Sequence, residues 1–509
     1  MSPSICKKVF VKNLVIRADA GGELGTGHVM RMIALAQAYM RRGGHVLLVS
    51  VQCPEPIINR VLDLGIGHHM LNGCEPGDTQ DSAATLQLCE ENEAQWLVLD
   101  GYHFDEEYQQ RLAGHDIKVL CVDDYGHCET WNCDAVLNQN LGAENWGQRK
   151  SKGSDIKWLL GSSFALIREE FFESIRQAKE KKSPACRILV TMGGADPDNI
   201  TLKVLRALEE NELEGLELRV LVGGANPHQA KLTQFADSSR HQIEVLCNVR
   251  EMPPMYEWAD AVISAGGSTC WEWLSYGLSG AVVTIAVNQE PVVAELESRK
   301  LALTLGWFTE YDMGTWAAKL ESWVLGQQAG GNFSERRQAV DGYGATRTAA
   351  FLDTGIWCRR AQSKDAKLYF DWASDPVVRA SGFHTDELSW EDHVMWFDNM
   401  IQSSDTYLYV VSNAFDEKIG QVRLTPDPSG YLEISFSVAR NLRGKGMGSM
   451  MLQEVLQRTL SDNSKSGGFI ARVKKENQAS AKIFHQLGFE ASEDDPKHRC
   501  LVYLKKNII

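Results

Sequence analysis

Between Asn13 and Val287 the chain repeats one pattern: a short apolar run, then a stretch with helical spacing. The first series of runs is Asn13 to Arg17, His45 to Val51, Trp96 to Asp100, Val119 to Asp123 and Ala135 to Asn138. The second is Arg187 to Met192, Leu218 to Val222, Ile243 to Leu246, Ala261 to Ser264 and Ala281 to Val287. Runs that are apolar throughout suit strands buried on both faces, and the helical stretches supply the crossovers that parallel strands require. The pattern predicts an α/β fold with two Rossmann-like lobes facing one another across a cleft, over residues 12–180 and 186–352. The charged run from Lys179 through Pro184 reads as a solvated linker between them.

After the segment Val340 to Leu352 this rhythm stops. Residues 356–509 open with helical patterns containing Trp372, Trp390 and Trp396 and then turn to strands, so a separate α+β domain is expected. A chain of 509 residues exceeds what one core organises, which fits three parts. The net charge of −15 argues against a nucleic-acid partner. No stretch reaches the roughly 18 apolar residues of a membrane span. The opening Met1 to Lys8 lacks the apolar run of a signal peptide, so a cytoplasmic protein without a membrane partner is expected. Twelve scattered cysteines read as reduced thiols. Cys121, His127, Cys128 and Cys133 cluster in sequence but match no zinc spacing, so no metal is expected.

The glycine-rich turns carry the chemistry. Gly25-x-Gly27 precedes His28 and Arg31, but Met30 stands where a dinucleotide fingerprint needs its third glycine. A helix start disfavours imidazolium, so His28 there can accept a proton; simple helix capping is the alternative. His103 is a weaker candidate base. Gly193-Gly194-Ala195-Asp196 and Gly266-Gly267-Ser268 each end a strand and open a helix, a setting suited to phosphate oxygens. Glu272 lies one helical turn beyond Ser268, where its carboxylate could accept from ribose hydroxyls. With Asn288-Gln289 after the next run, these turns together point to a nucleoside-diphosphate site.

The segment Arg17-x-Asp19 through Gly25-x-Gly27-His28-x-x-Arg31, with Gly193-Gly194-x-Asp196-Pro197, Gly266-Gly267-Ser268 and Asn288-Gln289, resembles the UDP-sugar hydrolases of pseudaminic acid biosynthesis. It looks more distantly like the two-lobed (GT-B) glycosyltransferases that use UDP-N-acetylglucosamine. The resemblance spans Asn13 to Leu352 and implies metal-independent, inverting hydrolysis of UDP-2,4-diacetamido-2,4,6-trideoxy-β-L-altropyranose. It gives His28 the role of base, with Asp19 orienting its imidazole, Tyr102 near the sugar and Asn288 hydrogen-bonded to substrate.

A second motif lies in the last region. Arg443-Gly444-Lys445-Gly446-Met447-Gly448 follows the strand-like Leu432 to Val438 and opens a helix from Ser449 to Leu460. Alternate glycines let backbone N–H groups close on a pyrophosphate such as that of an acyl-CoA, with Arg443 and Lys445 adding charge. Together with Glu476-Asn477 through Gly488-Phe489, this loop makes residues 356 to 504 resemble the GNAT acetyltransferases. That resemblance implies acetyl-CoA as co-substrate, its pantetheine bonded by backbone around Phe436 to Val438, and Asn477 and Ser480 flanking the thioester. Glu433 stands where some members carry a base, though it reads equally as a solvated strand-end residue. Phe484 departs from the tyrosine that many members use as acid, which leaves His485 or water. The tryptophans, His384 and His393 could line an acceptor pocket or belong to core.

Fusion of the two regions implies consecutive reactions: acetyl-CoA-dependent acetylation of the C4 amine of a UDP-4-amino sugar, then hydrolytic release of UDP. A glycosyltransferase with an acetyltransferase appendage, or a non-catalytic nucleotide-sugar-binding protein, are the alternatives.

Overall fold

The computed structural model describes residues 12–21, 25–148, 155–181, 185–326, 333–383, 388–462, 467–492 and 500–506. His384 and Lys182 to Pro184 lie outside them. The chain divides into two compact units, Met1–Thr348 and Ala349–Ile509.

The first unit holds two sheets. One is built from β1 (Asn13–Ala18), β2 (His45–Ser50), β3 (Gly67–Met70), β4 (Trp96–Asp100), β5 (Lys118–Val122), β6 (Ala135–Asn138) and β7 (Lys157–Leu160), in the order β3-β2-β1-β4-β5-β6-β7. The other comprises β8 (Arg187–Thr191), β9 (Glu217–Val222), β10 (Gln242–Cys247), β11 (Ala261–Ala265), β12 (Ser279–Thr284) and β13 (Ala302–Trp307), ordered β10-β9-β8-β11-β12-β13. Both are parallel throughout. The α/β reading with two Rossmann-like lobes therefore holds.

Apolar runs became strands because both faces are covered. Ile188 and Val190 enter one core with Val204, Leu208 and Leu320, while Leu189 enters another with Tyr256, Trp271 and Leu274. Ala165, Ile167, Phe171 and Ile175 join this second core. Three strands carry no such signal, β3, β7 and β13, and each lies at a sheet edge. β3 reads Gly-His-His-Met and has no buried residue. The run expected from Ala281 to Val287 stops at Thr284, and Val287–Gln289 forms a 3₁₀ turn instead.

In β1 the apolar rule is broken by Arg17, fully buried. Asp81 accepts from its Nε and NH2 at 2.9 and 2.8 Å, and Asp19 lies 2.8 Å from NH1. A buried guanidinium survives only with such compensation.

The second unit is one mixed sheet of β14 (Ile356–Arg360), β15 (Tyr407–Asn413), β16 (Lys418–Pro426), β17 (Leu432–Val438), β18 (Gly468–Lys474), β19 (Glu490–Ala491) and β20 (Cys500–Lys506). Its order is β14-β15-β16-β17-β18-β20-β19. All neighbours are antiparallel except β17 and β18, which pair in parallel only at Leu432↔Phe469 and Glu433↔Ile470. β17 thereafter splays from β18. Helices Ala366–Ala373 and Trp390–Gln402 lie toward one face, with Met447–Asp462 on the other.

Gly344 opens the helix that ends the first unit, and a β-carbon there would stand 2.2 Å from the Ala165 carbonyl oxygen and 2.3 Å from the Phe164 carbonyl carbon. Gly344→Ala is expected to destabilise the first unit by about 1–3 kcal/mol, read as a lower thermal midpoint.

Candidate active sites

At the carboxyl ends of β1, β4 and β5 the first sheet assembles a buried polar chain. His28 sits in the first turn of the helix Gly27–Met40, and its Nδ1 lies 2.7 Å from Asp100 Oδ1. An ionised carboxylate only accepts, so Nδ1 carries a proton toward Asp100, and in the neutral imidazole the lone pair is on Nε2. Arg31, one turn further on, donates through Nε to Asp100 Oδ2 at 2.7 Å and through NH2 to Oδ1 at 2.6 Å. Its NH1 reaches Asp124 Oδ1 at 2.7 Å. The Tyr102 hydroxyl donates to Asp124 Oδ2 at 2.7 Å and accepts from Asn288 Nδ2 of the other lobe at 3.1 Å. The Tyr102 ring meets the His28 ring edge-on, with centroids 5.1 Å apart.

Burial would raise the pKa of Asp100, but Arg31 and His28 outweigh it and hold the group below the usual carboxylate range. Asp124 is likewise lowered against its burial, mainly by Arg31. Burial and the Asp124 charge push Tyr102 well up, so its hydroxyl stays protonated.

His28, Tyr102 and Asn288 thus come together, and Asp19 does not join them as expected. The partner of His28 is Asp100. Asp19 is held by Arg17 and by the Val51 and Gln52 N–H groups at 2.7 and 2.9 Å, with His103 Nε2 at 3.2 Å. Burial pushes its pKa up, yet His103, Arg17 and the two amides bring it down to about 2. Arg31, expected to touch substrate, is instead buried between carboxylates. Asp124, Asp100 and Asn140, whose Nδ2 donates to the Asp124 carbonyl at 2.9 Å, belong to no local motif of the sequence. The available signal was an Asp ending or just following a buried strand.

The second lobe faces this cluster. A β-carbon on Gly194 would lie 3.7 Å from Thr26 Oγ1, so the turn after β8 approaches the Gly25–Gly27 turn. Gly25 and Gly193 have φ of 68° and 89°, a region costly for other residues. Asp196 does not offer itself to a ligand: its carboxylate accepts from Ile200 and Thr201 N–H at 2.7 and 3.0 Å. It therefore closes the helix start expected to take phosphate. The Gly266-Gly267-Ser268 turn has Gly266 buried, its N–H donating to the Val283 carbonyl at 3.0 Å, while Gly267 is half-buried and Ser268 exposed. Gln289 braces it, accepting from Ile285 N–H at 3.1 Å, with its side chain over Gly266 and Gly267. Glu272 accepts from Arg168 at 3.2 Å and from the Tyr256 hydroxyl at 2.8 Å. A third glycine pair escaped the sequence reading: Gly223 abuts the backbone of Gly194, where a β-carbon would stand 2.2 Å from its oxygen.

Cys121, Cys128 and Cys133 are free thiols. His127 Nδ1 lies 2.9 Å from Asp123 Oδ1.

In the second unit Gly444 and Gly446 both have φ of 78°, and a β-carbon on either would meet nothing within 4 Å. The loop is thus open to a ligand, while Gly448 packs against Ile483, 2.7 Å from where its β-carbon would be. Beyond Glu433, β17 presents backbone at Phe436 and Val438 with no β18 partner. These features fit a pantetheine and its pyrophosphate, with Met447 half-buried against the core beneath. Lys445 is exposed, but Arg443 turns inward, donating to the Val438 carbonyl and to Asp375, each at 3.0 Å. Arg443 keeps its second terminal nitrogen, Nη2, outside these two bonds. Asn477 caps its own helix, accepting from Ser480 N–H at 3.1 Å. Glu433 Oε1 lies 3.1 Å from Arg472. Phe484 is buried among Phe436, Phe489 and Tyr503, and His485 is exposed. His393 is core, its Nε2 donating to the Ala366 carbonyl at 3.0 Å.

Residues 187–303 match the glycosyltransferase family 28 C-terminal domain, and residues 356–490 match the GNAT acetyltransferase domain. An uncharacterised protein of Methanocaldococcus jannaschii is 22% identical over 94% of this chain and 97% of its own length. The UDP-2,4-diacetamido-2,4,6-trideoxy-β-L-altropyranose hydrolase of Campylobacter jejuni is 23% identical over 56% of this chain and 96% of its own. Among solved structures, MurG of Acinetobacter baumannii is similar, with a TM-score of 0.48 at 14% identity over 67% of this chain and 99% of that one. The chain thus joins a glycosyltransferase-28-like region to an acetyltransferase domain. No helix among the described residues is long and apolar enough to cross a membrane.

Arg31→Met leaves two carboxylates buried without their cation, and is expected to cost about 3–5 kcal/mol in denaturant unfolding. Asp19 is lowered to about 2 from an ordinary 3.8, so its stabilisation is fully present above about pH 4 and lost as pH falls through 2. Asp19→Asn should flatten that limb of an acid-unfolding curve.

Proposed function

We propose that the chain is bifunctional in pseudaminic acid biosynthesis: it acetylates the C4 amine of a UDP-4-amino sugar with acetyl-CoA, then hydrolyses the UDP-diacetamido sugar to free sugar and UDP. The observation that carries the hydrolytic half is the His28–Asp100 dyad beside the Gly25–Gly27 turn, opposite the glycine turns of the second lobe. The similarity to the Campylobacter jejuni hydrolase supports the same assignment.

In this reading Asp100 holds the His28 Nδ1 proton, leaving Nε2 to take a proton from water as its oxygen attacks the anomeric carbon. The sugar–phosphate C–O bond breaks on the opposite face, which inverts the centre, and UDP departs with the electron pair. Asn288 and Tyr102 position the sugar between lobes. The Gly267–Ser268 end of the turn donates to the departing diphosphate, and Glu272 exchanges Arg168 for the ribose hydroxyls. No step calls on a metal. In the acetyltransferase domain the amine nitrogen bonds to the acetyl carbon, the C–S bond of acetyl-CoA breaks, and the proton lost by nitrogen ends on the CoA thiol. Glu433 is the nearest carboxylate on the splayed strand to serve as base.

The match to a glycosyltransferase domain keeps one rival reading, transfer of the sugar to an acceptor other than water. In ¹⁸O-enriched water, the hydrolase reading expects one heavy oxygen at the sugar C1 hydroxyl by mass spectrometry; its absence from released sugar would refute hydrolysis. His28→Ala should slow UDP release by roughly 10²–10⁴-fold, with acetyl transfer from CoA unaffected.

A further inference from the structure

The third sheet has two unlike faces. On one, Tyr409, Val411, Val422, Leu424, Leu432 and Ile434 close a core with the helix Met447–Asp462. On the other, Leu408 and Val410 of β15 lie under Ala366, Tyr369 and Phe397. Strand alternation puts Gln421, Arg423 and Thr425 of β16, with Glu433, Ser435 and Ser437 of β17, on that second face. They are cross-strand partners: Gln421↔Ser437, Arg423↔Ser435 and Thr425↔Glu433. The polar half-face ends at Glu433, where β17 leaves β18. The opposite face is solid core, so an amine reaching a thioester in the splay comes from this half-face, part of which lies beneath Trp396.

Two buried atoms on this half-face, Arg423 Nε and Gln421 Oε1, have no hydrogen-bond partner among the described residues. The Arg423 guanidinium lies over the Trp396 ring, 5.4 Å from its centroid. Burial lowers its pKa, and Glu433 only partly offsets this. Glu433 itself is matched by Arg472, which also donates to Asp427 at 2.8 Å. The patch therefore holds a desolvated, fork-shaped cation without a carboxylate bonded to it, a setting that phosphate oxygens satisfy and a polyamine does not.

We infer that Arg423 recognises an anionic group on the acetyl acceptor, the diphosphate of a nucleotide-linked amine, with Gln421 and Ser435 beside it on the floor of the acceptor subsite. This rests on the acetyl-transfer half of the proposed function and names the part of that substrate which the domain reads.

Calorimetric titration of the full chain with UDP in the presence of CoA tests this directly. The wild type should bind about two equivalents and Arg423→Met one. If the first unit does not take UDP, the wild type should bind one and the variant none, which would sink the nucleotide reading of the first unit and leave this inference standing. Unchanged stoichiometry in Arg423→Met overturns it. With UDP-4-amino sugar as acceptor, CoA-thiol release should show KM raised about tenfold or more in Arg423→Met, with kcat and the KM for acetyl-CoA within about twofold. Arg423→Lys should fall between, keeping charge without the fork. A change in the KM for acetyl-CoA, or faster turnover of the free amino sugar or spermidine than of the UDP-linked sugar, overturns the inference.

Discussion

The first unit depends on one buried cation. Arg31 lies between Asp100 and Asp124, two carboxylates that β4 and the turn after β5 deliver to the same point. Through Asp100 it sets the orientation of His28; through Asp124 it reaches Tyr102, and Tyr102 meets Asn288 on the other lobe. A neutral side chain at 31 would leave two anions in low dielectric, whereas an apolar trio in their place would pack without penalty but hold nothing in register. The network is best understood as a positioning device. It fixes which nitrogen of His28 is protonated and ties the imidazole to the lobe that would hold the nucleotide.

This dependence explains what could be read from the chain. Strands covered on both faces announced themselves as apolar runs; β3, β7 and β13, all at sheet edges, did not, although the edge strand β10 did. His28 was visible because a helix start after a glycine turn is a local feature. Its partner was not, since Asp100 lies 72 residues away and becomes a neighbour only because β4 pairs with β1. Asp19, near in sequence, was the natural guess, yet it follows β1 at the point where Arg17 and the Val51–Gln52 amides consume it.

The ligand-like charges beside glycine turns share a constraint. Asp196 beside Gly193-Gly194 and Arg443 beside Gly444 both suggested contact with a bound phosphate, and both bond to the protein: Asp196 caps a helix, and Arg443 secures β17 and Asp375. Glycine turns bring exposed backbone dipoles, and the fold must satisfy some of these itself. Composition cannot distinguish a side chain that completes the turn from one that awaits a ligand. Only the bonds each side chain makes can, and by that criterion Lys445, Ser268 and the second terminal nitrogen of Arg443 remain available while Asp196 does not.

The same criterion bears on the order of the two proposed reactions. Around His28 each carboxylate among the described residues already has a cation: Asp19 and Asp81 have Arg17, Asp100 and Asp124 have Arg31, and Asp123 has His127, which burial lowers but Asp123 and Cys128 raise to about 10. A free ammonium on the sugar would find no unpaired anion there to replace its water, whereas an acetamide asks only for hydrogen bonds and apolar contact such as the half-buried Tyr102 ring and exposed Tyr125 provide. In the second unit Glu433 is likewise matched by Arg472, and the group left with an unsatisfied donor among the described residues is Arg423, which suits an anion. If one nucleotide sugar visits both sites, its C4 nitrogen suits the described surroundings of His28 better as an acetamide than as an ammonium, which puts hydrolysis after acetylation.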